Sequence, residues 1–163
     1  MEARGKQLAK LALKVWPALK ADDAAIKQAR LDDAVLAASG KTRADLKCDD
    51  AVRIWLDKLS DFAVALGDDV TEVVSSRSIV LHEPAWFVEL LPRANGIDLR
   101  LACEATELAT VAAGVQVTSQ WAWIANSAVQ GTEGSLYYVN SDAKLEAACA
   151  LIRKAYELAS DGA

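Results

Sequence analysis

Apolar residues recur along this chain with two different periods, and the change from one to the other divides it. Over residues 3–16, Leu8, Leu11 and Val15, with Leu19 just beyond, share one face at about 100° per residue, and Lys6, Lys10 and Lys14 stack on the other. Pro17 breaks or kinks that helix, because it lacks a backbone donor and crowds the preceding turn. Asp22 or Asp23 caps a second helix carrying Ile26, Ala29, Leu31, Val35 and Leu36, and Ser39-Gly40 ends it. A third helix starts near Asp49-Asp50 and runs to about Leu66. Val52, Trp55, Leu56, Leu59, Phe62 and Leu66 repeat at three-and-four spacing along it, and Gly67 closes it.

Beyond Gly67 the period shortens to two. Ile79-Val80-Leu81 reads as a short strand, and Trp86, Val88 and Leu90 alternate with Phe87, Glu89 and Leu91. A five-residue loop, Pro92-Arg93-Ala94-Asn95-Gly96, leads into Ile97–Cys103, whose odd positions are all apolar, so the two runs predict a hairpin. Glu104–Ala113 reads as helical, and Val115–Thr118 and Trp121–Ile124 as extended. After the turn Gly131–Gly134 comes a strand at Ser135–Val139. Asn140-Ser141-Asp142 then caps a last helix with Leu145, Ala148, Cys149, Ile152 and Tyr156 on its inner face. The pattern predicts an α+β fold with N-terminal helices, a small, mostly antiparallel sheet (79–81, 86–91, 97–103 and 135–139) and a C-terminal helix. The simplest organisation is a single domain, 1–163, with residues 1–48 as a helical N-terminal appendage to an α+β core at 49–163.

Composition narrows the classes of function. The chain has 163 residues, 53% of them hydrophobic and 25% charged, which is globular and not disordered. No apolar run approaches the roughly 18 residues that span a bilayer, and Lys10 and Lys14 interrupt any signal-like stretch, so no membrane partner and a cytoplasmic address are expected. The high apolar content predicts an exposed patch that pairs subunits into a homodimer. Cys48, Cys103 and Cys149 lie far apart without a CxxC pair, which argues against a disulfide framework and a cysteine-built zinc site. Net charge is −5, unfavourable for a generic nucleic-acid binder. The first 66 residues are slightly basic, however, and the remainder is strongly acidic. If nucleic acid binds, the route is the stripe of Lys6, Lys10 and Lys14, which a solvated helix face explains better.

From the third helix onward the order of features resembles a bacterial domain of unknown function often labelled "predicted transport protein". The residues that carry the likeness are Leu56, Leu59 and Leu66-Gly67, then Trp86–Leu90 and Leu99-Arg100-Leu101, and finally Gly134–Ser141 and Leu151–Glu157. The resemblance covers roughly residues 52–158. It rests on packing residues and carries over no catalytic residue and no cofactor.

The chemistry-bearing candidates are few. Ser39-Gly40-Lys41-Thr42 matches the tail of a phosphate loop, but Val35 stands where its first glycine belongs and a helix precedes it, so a helix end explains it better. His82 is the single histidine, at a strand end, with no nucleophile elbow or second ligand at a useful spacing. Trp121 and Trp123 share one side of an extended run and are the candidate ligand-stacking pair, with core packing as the plainer reading. If Val88 and Leu99 face the core, Glu89, Asp98 and Arg100 share the opposite face of the hairpin. Two acids and a base on adjacent strands is how metal-dependent nucleases of the PD-(D/E)xK type hold a metal that activates water. Arginine is a poor replacement for their lysine, and a cross-strand ion pair on a solvated face accounts better for the same trio. No metal ligand set is expected. The reading favoured is a non-catalytic binding or protein-interaction module for a protein or small ligand. The alternative is a degenerate metal-dependent nuclease-like or nucleic-acid-associated enzyme.

Overall fold

The computed structural model describes residues 40–82, 86–118 and 134–161. Gly40 adopts φ +84°, a left-handed conformation that favours glycine. A short 3-10 helix, Arg43–Asp45, leads to α1, Asp50–Val64. Asp49 stands at the N-cap of α1 and Asp50 in its first turn, where a negative charge meets the positive end of the helix dipole. The strands β1 (Thr71–Val74), β2 (Ile79–His82), β3 (Trp86–Arg93) and β4 (Gly96–Leu101) follow. Then come a single helical turn, α2 (Ala105–Leu108), the strands β5 (Gln116–Thr118) and β6 (Gly134–Val139), a 3-10 turn (Asp142–Lys144) and α3 (Leu145–Asp161). The strands form one six-stranded sheet in the order β1-β2-β3-β4-β6-β5, every neighbouring pair antiparallel. The α+β class and the antiparallel sheet expected from the hydrophobic pattern are present.

Alternation along the strands sends Ile79, Leu81, Val88, Leu90, Leu99, Leu101, Tyr137 and Val139 into a common core with Val52, Leu56, Leu59 and Ala63 of α1 and Ala148, Leu151, Ile152 and Ala155 of α3. Both long helices therefore cover one face of the sheet. Trp55 Nε1 donates to Asp142 Oδ1 at 2.8 Å, tying α1 to the turn that starts α3. The rings of Phe87 and Tyr156 meet edge to face, with centroids 5.4 Å apart. Among the described residues no helix is long and apolar enough to cross a membrane.

Four details depart from the sequence reading. β1 was not foreseen, because Thr71-Glu72-Val73-Val74 follows two aspartates and has only two apolar residues. The loop between β3 and β4 is shorter than expected: Arg93 pairs with Gly96, leaving Ala94-Asn95 as a two-residue turn. The helix expected over Glu104–Ala113 is limited to α2, and Gly114 at φ +88° turns the chain into β5. Finally, the register shifts between Leu81, paired with Val88, and His82, paired with Trp86. This bulge inserts one residue in β3. Phe87 joins Val88 in the helix-side core, and Trp86 instead lies against the ring of His82, with centroids 4.6 Å apart. The first two helices expected from the pattern, and Trp121–Ile124, lie outside the described residues.

Gly96 is required by a close approach. A Cβ built there would lie 2.4 Å from the backbone oxygen of Val139. Because a strand backbone cannot move aside as a side-chain tip can, Gly96→Ala is expected to destabilise the fold by about 1–3 kcal/mol, read as a lower urea midpoint. An unchanged midpoint would show that β4 and β6 are not packed this closely.

Candidate functional site

The sequence-selected trio does converge. Glu89 pairs directly with Arg100 across β3 and β4, and Leu91 with Asp98, so Glu89, Asp98 and Arg100 share one face of the hairpin. That face is opposite the one covered by α1 and α3, as expected from Val88 and Leu99 facing the core. In the sheet, Val80 on β2 neighbours Glu89 and Leu136 on β6 neighbours Arg100, so aliphatic side chains flank the charged pair on both sides.

Burial is the decisive feature, and it corrects the expectation of an ion pair on a solvated face, because aliphatic neighbours on β2 and β6 shut water away from the pair. Glu89 is 0% exposed and Arg100 6%, while the Asp98 side chain is 15% exposed. Arg100 Nη1 lies 3.6 Å from Glu89 Oε2, and its Nη2 lies 3.9 Å from Asp98 Oδ2. The same Asp98 oxygen accepts from Arg93 Nε at 2.7 Å, with Arg93 Nη2 also at 2.7 Å. Charges thus alternate in sign from the interior to the rim: Glu89, Arg100, Asp98, Arg93. The guanidinium of Arg100 stands between the two carboxylates, where a metal-dependent nuclease would hold its ion. Among the described residues no group of three or more His, Cys, Asp or Glu side chains is placed to hold a metal. The described long helices pack on the other face, so neither brings a further acid or base to the trio.

A second cluster fixes the segment preceding α1. Arg43 donates from Nε to Glu72 Oε2 at 2.8 Å and from Nη1 to Asp61 Oδ1 at 2.6 Å, joining its 3-10 turn to β1 and α1. Buried Ser60 on α1 also donates to Glu72, and the Arg53 guanidinium caps the carbonyls of Arg43 and Leu46. Burial works against the Arg43 charge, but the hydrogen bonds and charges of Glu72 and Asp61 outweigh it and raise its pKa above the ordinary value. This cluster is a structural clamp.

Two clefts open on the described surface. One, of about 430 Å³, is lined by Ala113, Gly114, Gln116, Leu136, Tyr137, Tyr138 and Lys144. The Lys144 amine there is already engaged, donating to the Tyr138 carbonyl at 3.1 Å beside both tyrosine rings. The other, of about 480 Å³, collects Lys41, Lys47, Arg77 and Arg93. Sequence reasoning did not find this group, because its members come from three separate turns and share no spacing. The available signal was only that three of the four cations follow a turn-forming residue: Gly40-Lys41, Ser76-Arg77 and Pro92-Arg93.

The remaining candidates separate from the trio. His82 sits at the end of β2 against Trp86. Lys6, Lys10, Lys14, Trp121 and Trp123 lie outside the described residues. Cys103 is buried, and Cys48 and Cys149 are half-buried, all as free thiols against the core. Compared with protein-family models, curated proteins and solved structures, the chain has no match.

Losing one partner of a buried pair strands the other charge, whereas a rim charge is already solvated. Arg100→Ala is therefore expected to cost about 3–5 kcal/mol of stability and Arg93→Ala no more than about 1 kcal/mol, by urea unfolding. Equal losses would contradict the burial gradient. Burial pushes the Cys103 thiol up to about 12. The folded state then holds this proton more tightly than an unfolded thiol with a pKa of about 8.5. Its contribution to stability is complete below that value and declines as pH rises toward the folded one. Iodoacetamide at mildly alkaline pH should leave Cys103 unmodified until the protein is unfolded. Labelling of Cys103 as fast as Cys48 in the native protein would contradict this.

Proposed function

We propose that the protein is a non-catalytic binding module. The observation that carries this reading is the insertion of the Arg100 guanidinium between Glu89 and Asp98. A carboxylate that is to ligate a metal or relay a proton needs lone pairs aimed at the reacting centre. Here Asp98 faces two guanidinium groups, and Glu89 is buried beside one. Arginine stays protonated in proteins and so does not serve as the acid or base that a lysine in its place would supply. The trio is better suited to fixing the hairpin than to reacting. The resemblance over residues 52–158 agrees with this reading, since its shared residues are packing residues.

The alternative, a degenerate metal-dependent nuclease, would use the same three side chains. Purified protein should leave single- and double-stranded DNA and RNA intact in magnesium or manganese. Cutting that Asp98→Ala abolishes, with the thermal unfolding midpoint otherwise preserved, would establish the enzyme and remove the binding-module reading.

A further inference from the structure

The cleft of about 480 Å³ lies at one end of the sheet, where three stretches of chain meet. The segment before α1 contributes Lys41, Asp45, Leu46 and Lys47; the turn between β1 and β2 contributes Ser76 and Arg77; the end of β3 contributes Leu91, Pro92 and Arg93. Its four cations are exposed, and its apolar members are buried Leu46 and Leu91 with half-buried Pro92. The cleft is therefore a cationic rim over an apolar floor. Asp45 is its one carboxylate, and that group is occupied by the backbone N–H of Thr42 at 2.7 Å and the Thr42 hydroxyl at 3.2 Å. The chain as a whole carries a net charge of −5. The cleft is opposite in sign to the molecule that contains it.

Like charges gathered at one site repel, and an anion relieves that repulsion. The segments that carry the cations are also held in place, and Arg93 is itself oriented. The clamp of Arg43 and Arg53 fixes the segment that bears Lys41 and Lys47, and Asp98 orients Arg93 through a single oxygen. In the turn, Ser75 Oγ accepts from the backbone N–H groups of Arg77 at 3.1 Å and Ser78 at 2.9 Å, leaving the Arg77 side chain outside the turn's own hydrogen bonding. Among the described residues Lys47 and Arg77 form no ion pair. Their charges are therefore available to a ligand, and the anchored backbone lowers the entropy lost on binding.

We propose that this cleft binds a compact phosphorylated small molecule, a phosphate monoester or diphosphate carried on an organic group. Guanidinium forks match phosphate oxygens in pairs, and lysines add point charge beside them. The floor of Leu46, Leu91 and Pro92 takes the organic part and lowers the local dielectric, which strengthens each ionic contact. The volume falls within the range of about 300–1,000 Å³ common to small-ligand sites. A compact dianion stays within about one screening length of the cations, which a long nucleic acid would extend beyond. The role assigned to this site rests on the binding-module reading, but its geometry does not.

The test is calorimetric titration of the full chain with pyrophosphate and with adenosine monophosphate. Saturable binding is expected, weakened about tenfold or more by Arg77→Glu and by Lys47→Glu. Lys58→Glu, on α1 outside the cleft, is expected to bind as the native chain does, and thermal unfolding confirms that each variant is folded. Absence of saturable binding, or equal weakening by Lys58→Glu, would overturn the site. Single-stranded DNA displacing pyrophosphate at physiological ionic strength would overturn the choice of a compact ligand. Binding accompanied by release of inorganic phosphate would uphold the site and contradict the non-catalytic reading. Neither binding nor release would remove the site and leave that reading standing.

Discussion

Arg100 is a nearly buried cation at the centre of a sheet, and its pairing with Glu89 fixes much of what surrounds it. An isolated charge in that position is costly, and the pair is tolerable only while both members remain in register. Because side chains alternate along a strand, a slip of one residue between β3 and β4 would turn charged residues toward the core that holds Leu90 and Leu99. Charge burial and apolar burial therefore select the same register from opposite sides of the hairpin. β2 and β6 then add along its two edges, and the helices close over the apolar face.

The two faces of the sheet have different roles. The helix face is a continuous core in which even the thiols act as small apolar groups. The other face carries the charge ladder that ends at Arg93, on the rim of the cationic cleft. Asp98, singled out as a candidate acid, is better described as a positioning residue holding two guanidinium groups. The Arg43 clamp performs the corresponding task for the segment that supplies two lysines to the cleft.

Features that depend on local periodicity were legible in the sequence. The span of α1 from Asp50, the strands of the central hairpin, β6 and the last helix all follow from spacing, and so does the sharing of one face by Glu89, Asp98 and Arg100. Features set by tertiary context were not. β1 is stabilised by pairing with β2 and by Glu72 meeting Arg43, neither visible in a four-residue stretch. The bulge that exchanges Trp86 for Phe87 in the core adds one residue to a strand whose alternation otherwise looks regular. The burial of Arg100 was equally hidden, since an ion pair in the sequence reads the same on a wet face as on a dry one. Lys41, Lys47, Arg77 and Arg93 come together only because three stretches of chain meet at one end of the sheet.

The central claim is that Glu89 and Arg100 act as one structural unit. A double-mutant cycle with Glu89→Met and Arg100→Met measures this directly, using urea unfolding of both single variants and the double variant. Each single substitution removes one charge of the buried pair and keeps the other, while the double replaces the pair with apolar groups of similar length. The account predicts that the double variant is more stable than either single variant. Additive losses in the double variant would show that the two residues contribute independently and would contradict it.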